Sequence, residues 1–128
     1  MSEWIWIGAD VATMAHADQL AEHGGGLGTR DFGALESALA RPVNLAAYGQ
    51  PDAATLAAAY AFGLARNHPF VDGNKRTAAV VSELFLIRNG WNLSASDAEI
   101  VIAFLALAAG EISEPEMADW FRQHVTPA

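Results

Sequence analysis

The chain has 128 residues, 52% hydrophobic and 17% charged, a balance that suits one folded domain over 1–128 and excludes a disordered or linker-like chain. Seven Lys/Arg against fifteen Asp/Glu leave a net charge of −8, too few cations for a surface that tracks DNA or RNA phosphates. The absence of cysteine excludes disulfides, thiolate metal sites and thiol nucleophiles, and points to the cytoplasm.

Residues 1–8 carry the apolar run Trp4-Ile5-Trp6-Ile7 behind Glu3, without the basic leader or the length of a secretory signal. Residues 4–7 are either a short strand or a plug of aromatics on the core, since four residues hold too little periodicity to decide. Val11, Met14, Ala15 and Leu20 recur at helical spacing over about 9–23, and Gly24-Gly25-Gly26 stops this first helix. Leu35, Ala38 and Leu39 mark a short second helix over 31–41, which Pro42 ends because proline disfavours helix at the residue before it. Between Pro42 and Pro51, Asn44, Gly49 and Gln50 predict an exposed loop or small hairpin, a flap.

Asp52 is placed to cap a third helix reaching about residue 67, with Leu56, Tyr60 and Leu64 every four residues among alanines. A fourth helix over about 74–88 is apolar nearly all round, through Val80, Val81, Leu84, Phe85, Leu86 and Ile87, and is expected to be buried. Ser96 and Glu99 have capping-box spacing for a fifth helix to about 109, whose Ile100, Val101, Ile102, Phe104, Leu105 and Leu107 also predict burial. Ser113 and Glu116 repeat that spacing for a sixth helix to about 124. The prediction is an all-α domain of about six helices around two buried central ones. The longest uncharged stretches, 53–65 and 100–110, fall short of the roughly 20 residues that span a bilayer, so no membrane association is expected.

The chemistry concentrates in Arg66-Asn67-His68-Pro69-Phe70-Val71-Asp72-Gly73-Asn74-Lys75-Arg76-Thr77. Residues 66–76 hold three of the seven Lys/Arg and one of the fifteen acids, a local charge of +2 in a chain otherwise at −10. Such a positive focus suits a small bound anion. Gly73 and Asn74 tolerate a tight turn just before the fourth helix, whose first amides lack carbonyl partners and sit at the positive end of the helix dipole. Lys75 and Arg76 oppose that dipole, a conflict that a bound phosphate removes. His68 has a side chain that takes protons near neutral pH, and Asp72 supplies the carboxylate oxygen that magnesium prefers. Phe70 is expected to point inward and fix the loop to the core.

These residues resemble the signature of the Fic/Doc superfamily, His-x-Phe-x-Asp-Gly/Ala-Asn-Gly/Lys-Arg, matched at every fixed position by His68, Phe70, Asp72, Gly73, Asn74, Lys75 and Arg76. Upstream, Gly25-Gly26-Leu27-Gly28, Arg30-Asp31 and Leu35-Glu36-Ser37-Ala38-Leu39 are similar to a segment of death-on-curing (Doc) proteins, so the resemblance covers nearly the whole chain. It implies an all-α Fic fold and a toxin of a toxin–antitoxin pair that uses ATP and Mg²⁺ to modify a protein hydroxyl. In that reading His68 is the general base and Asp72 binds the metal. Gly73 and Asn74 line the anion hole, Lys75 and Arg76 neutralise phosphate charge, and Arg66 is a further candidate for that task.

Fic enzymes that transfer AMP carry Gly where this chain has Lys75, whereas Doc-like proteins carry Lys and deliver the γ-phosphate. The resemblance therefore implies a protein kinase, with elongation factor Tu as target; adenylyl transfer and a non-catalytic binding module are the alternatives. Many Fic proteins restrain themselves through a helix bearing Ser/Thr-x-x-x-Glu. No glutamate here has Ser or Thr four residues before it, so restraint is expected from a separate antitoxin whose tail folds across the site. His16, His23 and His124 read as solvated or capping residues, and the four tryptophans as core or partner-contact aromatics.

Overall fold

The computed structural model describes residues 3–26 and 28–128. Among them are six helices: α1 Ala9–His23, α2 Phe32–Ala47, α3 Ala53–Asn67, α4 Asn74–Arg88, α5 Asp97–Ala108 and α6 Glu114–His124. Two three-residue strands, β1 Trp91–Leu93 and β2 Val125–Pro127, pair antiparallel with Asn92 opposite Thr126, tying the segment after α6 to the turn after α4. The architecture is all-α, as the periodicity predicts. No helix among the described residues is long and apolar enough to cross a membrane.

Local side-chain chemistry sets most helix starts. Asp52 accepts the Thr55 amide at 2.9 Å at the head of α3, and both capping boxes close, Ser96 with Glu99 on α5 and Ser113 with Glu116 on α6. The backbone amides of Ser96 and Ser113 hold the Glu99 and Glu116 carboxyls below their ordinary range.

The centre of the core is α3, and this corrects the expectation of α4 and α5 as a buried central pair. Eleven of the fifteen α3 residues are buried, and α2, α4, α5 and α6 all pack on it. Its alanines leave room for neighbours on every side, a role that a count of large apolar residues undervalues. On α5 only Ala103, Phe104 and Leu107 are buried; Val101, Ile102 and Leu105 are exposed, Ile102 at 68%. On α4, Ile87 is exposed as well.

Pro42 does not end α2, which continues to Ala47 with the proline buried against the core. A proline inside a helix removes one backbone hydrogen bond and crowds the preceding turn. Packing of α2 on α3 and the ion pair from Arg41 to Glu114 on α6, with Arg41 Nε donating at 2.9 Å, hold the helix on course. The expected flap over 42–51 shrinks to the short link 48–52, without a hairpin, beginning at the fully exposed Tyr48.

Residues 4–7 are an aromatic plug and not a strand. Trp4 and Trp6 both pack on Phe85 with ring centroids at 5.9 Å, and the Ile7 amide donates to the Tyr60 hydroxyl at 2.8 Å. Burial pushes the Tyr60 hydroxyl up to about 12, so it stays protonated and anchors this segment to α3.

Candidate active site

Helix α3 ends at His68, whose backbone is left-handed with φ 49° and ψ 56°, the only non-glycine positive φ among the described residues. A side chain in this region strains the backbone, so the neighbours must hold it. Arg30 does so: its Nε donates to the His68 carbonyl at 3.0 Å and its Nη2 to the Asn67 carbonyl at 3.3 Å. These carbonyls lie at the negative end of α3, where a guanidinium is favourable. The segment carrying Arg30 also pairs with the loop: Thr29 bridges Phe70 antiparallel, the Arg30 and Asp31 amides donate to the Pro69 carbonyl, and the Val71 amide donates to the Gly28 carbonyl at 3.1 Å.

Phe70 is buried in the core, as expected, and fixes the middle of the loop. Its amide donates to the Asn74 Oδ1, and its carbonyl accepts from the Asn74 Nδ2, each at 3.0 Å. The Asn74 side chain thus closes the loop, while its backbone amide is one of the first three of α4, residues 74–76. Gly73 caps α4 with φ 76° and ψ 19°, a left-handed turn that turns the chain into the helix. The first intrahelical bond runs from the Thr77 amide to the Gly73 carbonyl, which leaves the amides of 74–76 open at the positive end of the dipole.

Asp72 Oδ1 accepts the Gly73 amide at 2.8 Å. Its other oxygen lies against Gly25, where an added Cβ would come within 2.8 Å. The glycine run that stops α1 therefore also makes room for this carboxylate.

His16 corrects its reading as a solvated residue. It sits on the inner face of α1 at 5% exposure, its Nε2 is 2.8 Å from the Asp72 carbonyl, and its ring stacks on Phe70 with centroids at 3.9 Å and planes at 7°. The spacing Ala12, His16, Leu20 on the buried face was the available signal.

Six expected site residues, His68, Asp72, Gly73, Asn74, Lys75 and Arg76, line one cleft of about 820 Å³ between the loop, α4, α5 and the end of α1, which adds Gln19, Glu22 and His23. Lys75 and Arg76 enter none of the ion pairs among the described residues, although the same cleft is also lined by Glu22, Asp72, Glu83 and Asp97. Arg66 stands elsewhere: its guanidinium lies over the Phe62 ring at 5.3 Å and beside Gly110, outside this cleft. Sequence proximity placed it near the loop, but the last turn of α3 aims it at another face.

The donor set fits a magnesium-bound nucleoside triphosphate. The Asp72 carboxylate suits magnesium, which takes its remaining oxygens from phosphates and water, and open amides beside Lys75 and Arg76 suit the phosphates. Among the described residues no group of three or more His, Asp or Glu gathers to hold a metal by itself. On the lining of the same cleft, burial and then the charge of Asp97 push the Glu83 carboxyl up.

The Fic/DOC family model matches residues 6–86, from the aromatic plug through the loop to α4. The chain belongs to the Fic/DOC family. Among its Fic/DOC relatives, "Toxin Doc" of Mycolicibacterium smegmatis is 48% identical over 75 residues, 56% of this chain. The match spans only 57% of that protein's own length. "Protein kinase doc" of Escherichia phage P1 is 36% identical over 109 residues, covering 84% of this chain and 86% of that protein.

Proposed function

We propose that this protein is a Doc-like toxin that transfers the γ-phosphate of ATP to a Ser or Thr hydroxyl of elongation factor Tu and so arrests translation. The observation that carries this reading is the convergence of His68, Asp72, Lys75 and Arg76 on one cleft at the open N-terminus of α4. Lys75, standing where AMP-transferring relatives carry glycine, selects the phosphoryl over the adenylyl reaction. The name of the phage relative is in keeping with this choice.

His68 accepts the proton of the target hydroxyl, whose oxygen bonds to the γ-phosphorus while the bond to the bridging oxygen breaks and ADP leaves. The amides of 74–76 hold phosphate oxygens in line, and Lys75 and Arg76 offset the charge that gathers on the transferred and leaving groups. Asp72 is the residue that would hold magnesium, which would supply positive charge to offset that of the phosphates. Closing a strained His68 backbone with Arg30 keeps the imidazole in register with this row of donors.

Restraint comes from an antitoxin. The exposed Val101 and Leu105 of α5 form an apolar lane along the same cleft, suited to the apolar face of an amphipathic antitoxin segment that would cover the site.

The test is dual labelling in a bacterial extract, with ATP carrying label at either the γ or the α position. The reading predicts target label from the γ position alone, absent with His68→Ala. Label from the α position alone assigns adenylyl transfer instead. Equal growth arrest by wild type and His68→Ala, expressed without antitoxin, assigns a binding module.

A further inference from the structure

We propose that His16 is a positioning residue for the nucleotide site, acting through the Asp72–Gly73 peptide. The proposal rests on the kinase reading for its effect on nucleotide, and on the geometry alone for its effect on the loop. Burying an imidazole costs free energy unless it is hydrogen-bonded, and a leucine would fill this place on α1 more cheaply. The contact that offsets the cost is the one to the Asp72 carbonyl at 2.8 Å. A carbonyl only accepts, so Nε2 carries the proton and donates, which sets the ring's tautomer.

The Asp72 carbonyl and the Gly73 amide belong to one planar peptide unit. His16 holds its oxygen end, and the Asp72 carboxylate holds its N–H end at 2.8 Å. Rotating that plane breaks both bonds at once, swings the carboxylate and re-aims the turn into α4. The ring also stacks on Phe70 and lies 3.7 Å from where a Gly73 Cβ would stand, so it touches two signature residues, Phe70 and Asp72, and adjoins a third. It does not line the cleft itself. His16 therefore sets the direction of the metal-binding carboxylate and of the first α4 amides without touching substrate.

The experiment compares His16→Phe, which keeps the ring and loses the donor, with His16→Gln, which keeps a donor and loses the stack. The readouts are magnesium-dependent ATP binding by calorimetry, the Gly73 and Asn74 amide NMR shifts without nucleotide, and the melting temperature. His16→Phe is expected to weaken magnesium–ATP binding about tenfold, as losing one buried hydrogen bond implies, with the Gly73 amide shifted. His16→Gln is expected to restore most of both, whatever its melting temperature. Should His16→Phe not fold, His16→Met takes its place.

Unmoved amides with wild-type binding in the donor-less variant overturn the proposal, as does a His16→Gln protein equally impaired. If the wild type binds no magnesium–ATP, the kinase reading fails, and the amide shifts still decide the role of His16.

Discussion

Gly25→Ala separates the cost of strain from the cost of moving the Asp72 carboxylate, the proposed magnesium ligand. At φ +128° the backbone of Gly25 lies where a side chain is strained, worth about 1–3 kcal/mol. Its Cβ would also meet Asp72 Oδ2 at 2.8 Å, Asp72 Cγ at 3.2 Å and Leu20 Cδ2 at 3.1 Å. The aspartate tip is free to rotate, so the overlap relaxes at little cost in stability, but only by pulling the carboxylate off the Gly73 amide. Gly24 supplies the control: it has φ +76° with nothing within 4 Å of an added Cβ. Both alanine variants should lose about 2 kcal/mol, a melting-temperature drop of roughly 5–10 °C for a domain of this size. Only Gly25→Ala should also demand more magnesium for nucleotide binding, by about tenfold if one charge-assisted contact is lost. Thermal melts and a magnesium titration of ATP binding measure the two effects. Identical magnesium dependence in the two variants would refute the link between the glycine run and Asp72.

Arg30→Gln removes the guanidinium from the α3 carbonyls while leaving the paired segment intact; because these groups are exposed, stability should fall by only ~1 kcal/mol, while phosphoryl transfer falls at least tenfold with His68 unsupported. Steady-state kinetics with unchanged kcat would count against that role. The Arg122 guanidinium, hydrogen-bonded to Asp52, holds that carboxyl well below the usual range. The unfolded chain therefore takes up this proton first: the stabilisation is whole above about pH 4 and drains away as pH falls below that value. Both partners are about half exposed, so the effect is small, about 0.2–1 kcal/mol. Asp52→Asn, which keeps the cap, should melt slightly below wild type at neutral pH and coincide with it in strong acid. Thr77 is fully buried with no partner for its hydroxyl, so Thr77→Val should be neutral or stabilising by up to ~1 kcal/mol in denaturant titrations.

What was legible in the sequence is what short-range chemistry decides. Asp52, Ser96 and Ser113 cap because their oxygens reach amides three residues on, and the signature residues share a cleft because a single turn between α3 and α4 carries them. What was not legible depends on partners distant in the chain. Pro42 stays helical because α3 lies beneath it, and α3 is central because its small side chains admit four neighbouring helices. Arg30 acts on a carbonyl 38 residues away and His16 on one 56 residues away, so neither spacing nor composition marks their targets. Arg66, adjacent to the signature, turns toward Phe62 because helical phase and not sequence distance decides where a side chain points.

The most direct test of the triphosphate cradle is a crystal structure with magnesium and a non-hydrolysable ATP analogue. The account predicts phosphates against the amides of residues 74–76, metal on Asp72 and the γ-phosphate nearest His68. A nucleotide seated elsewhere, or one reversed so that its α-phosphate faces His68, would contradict it.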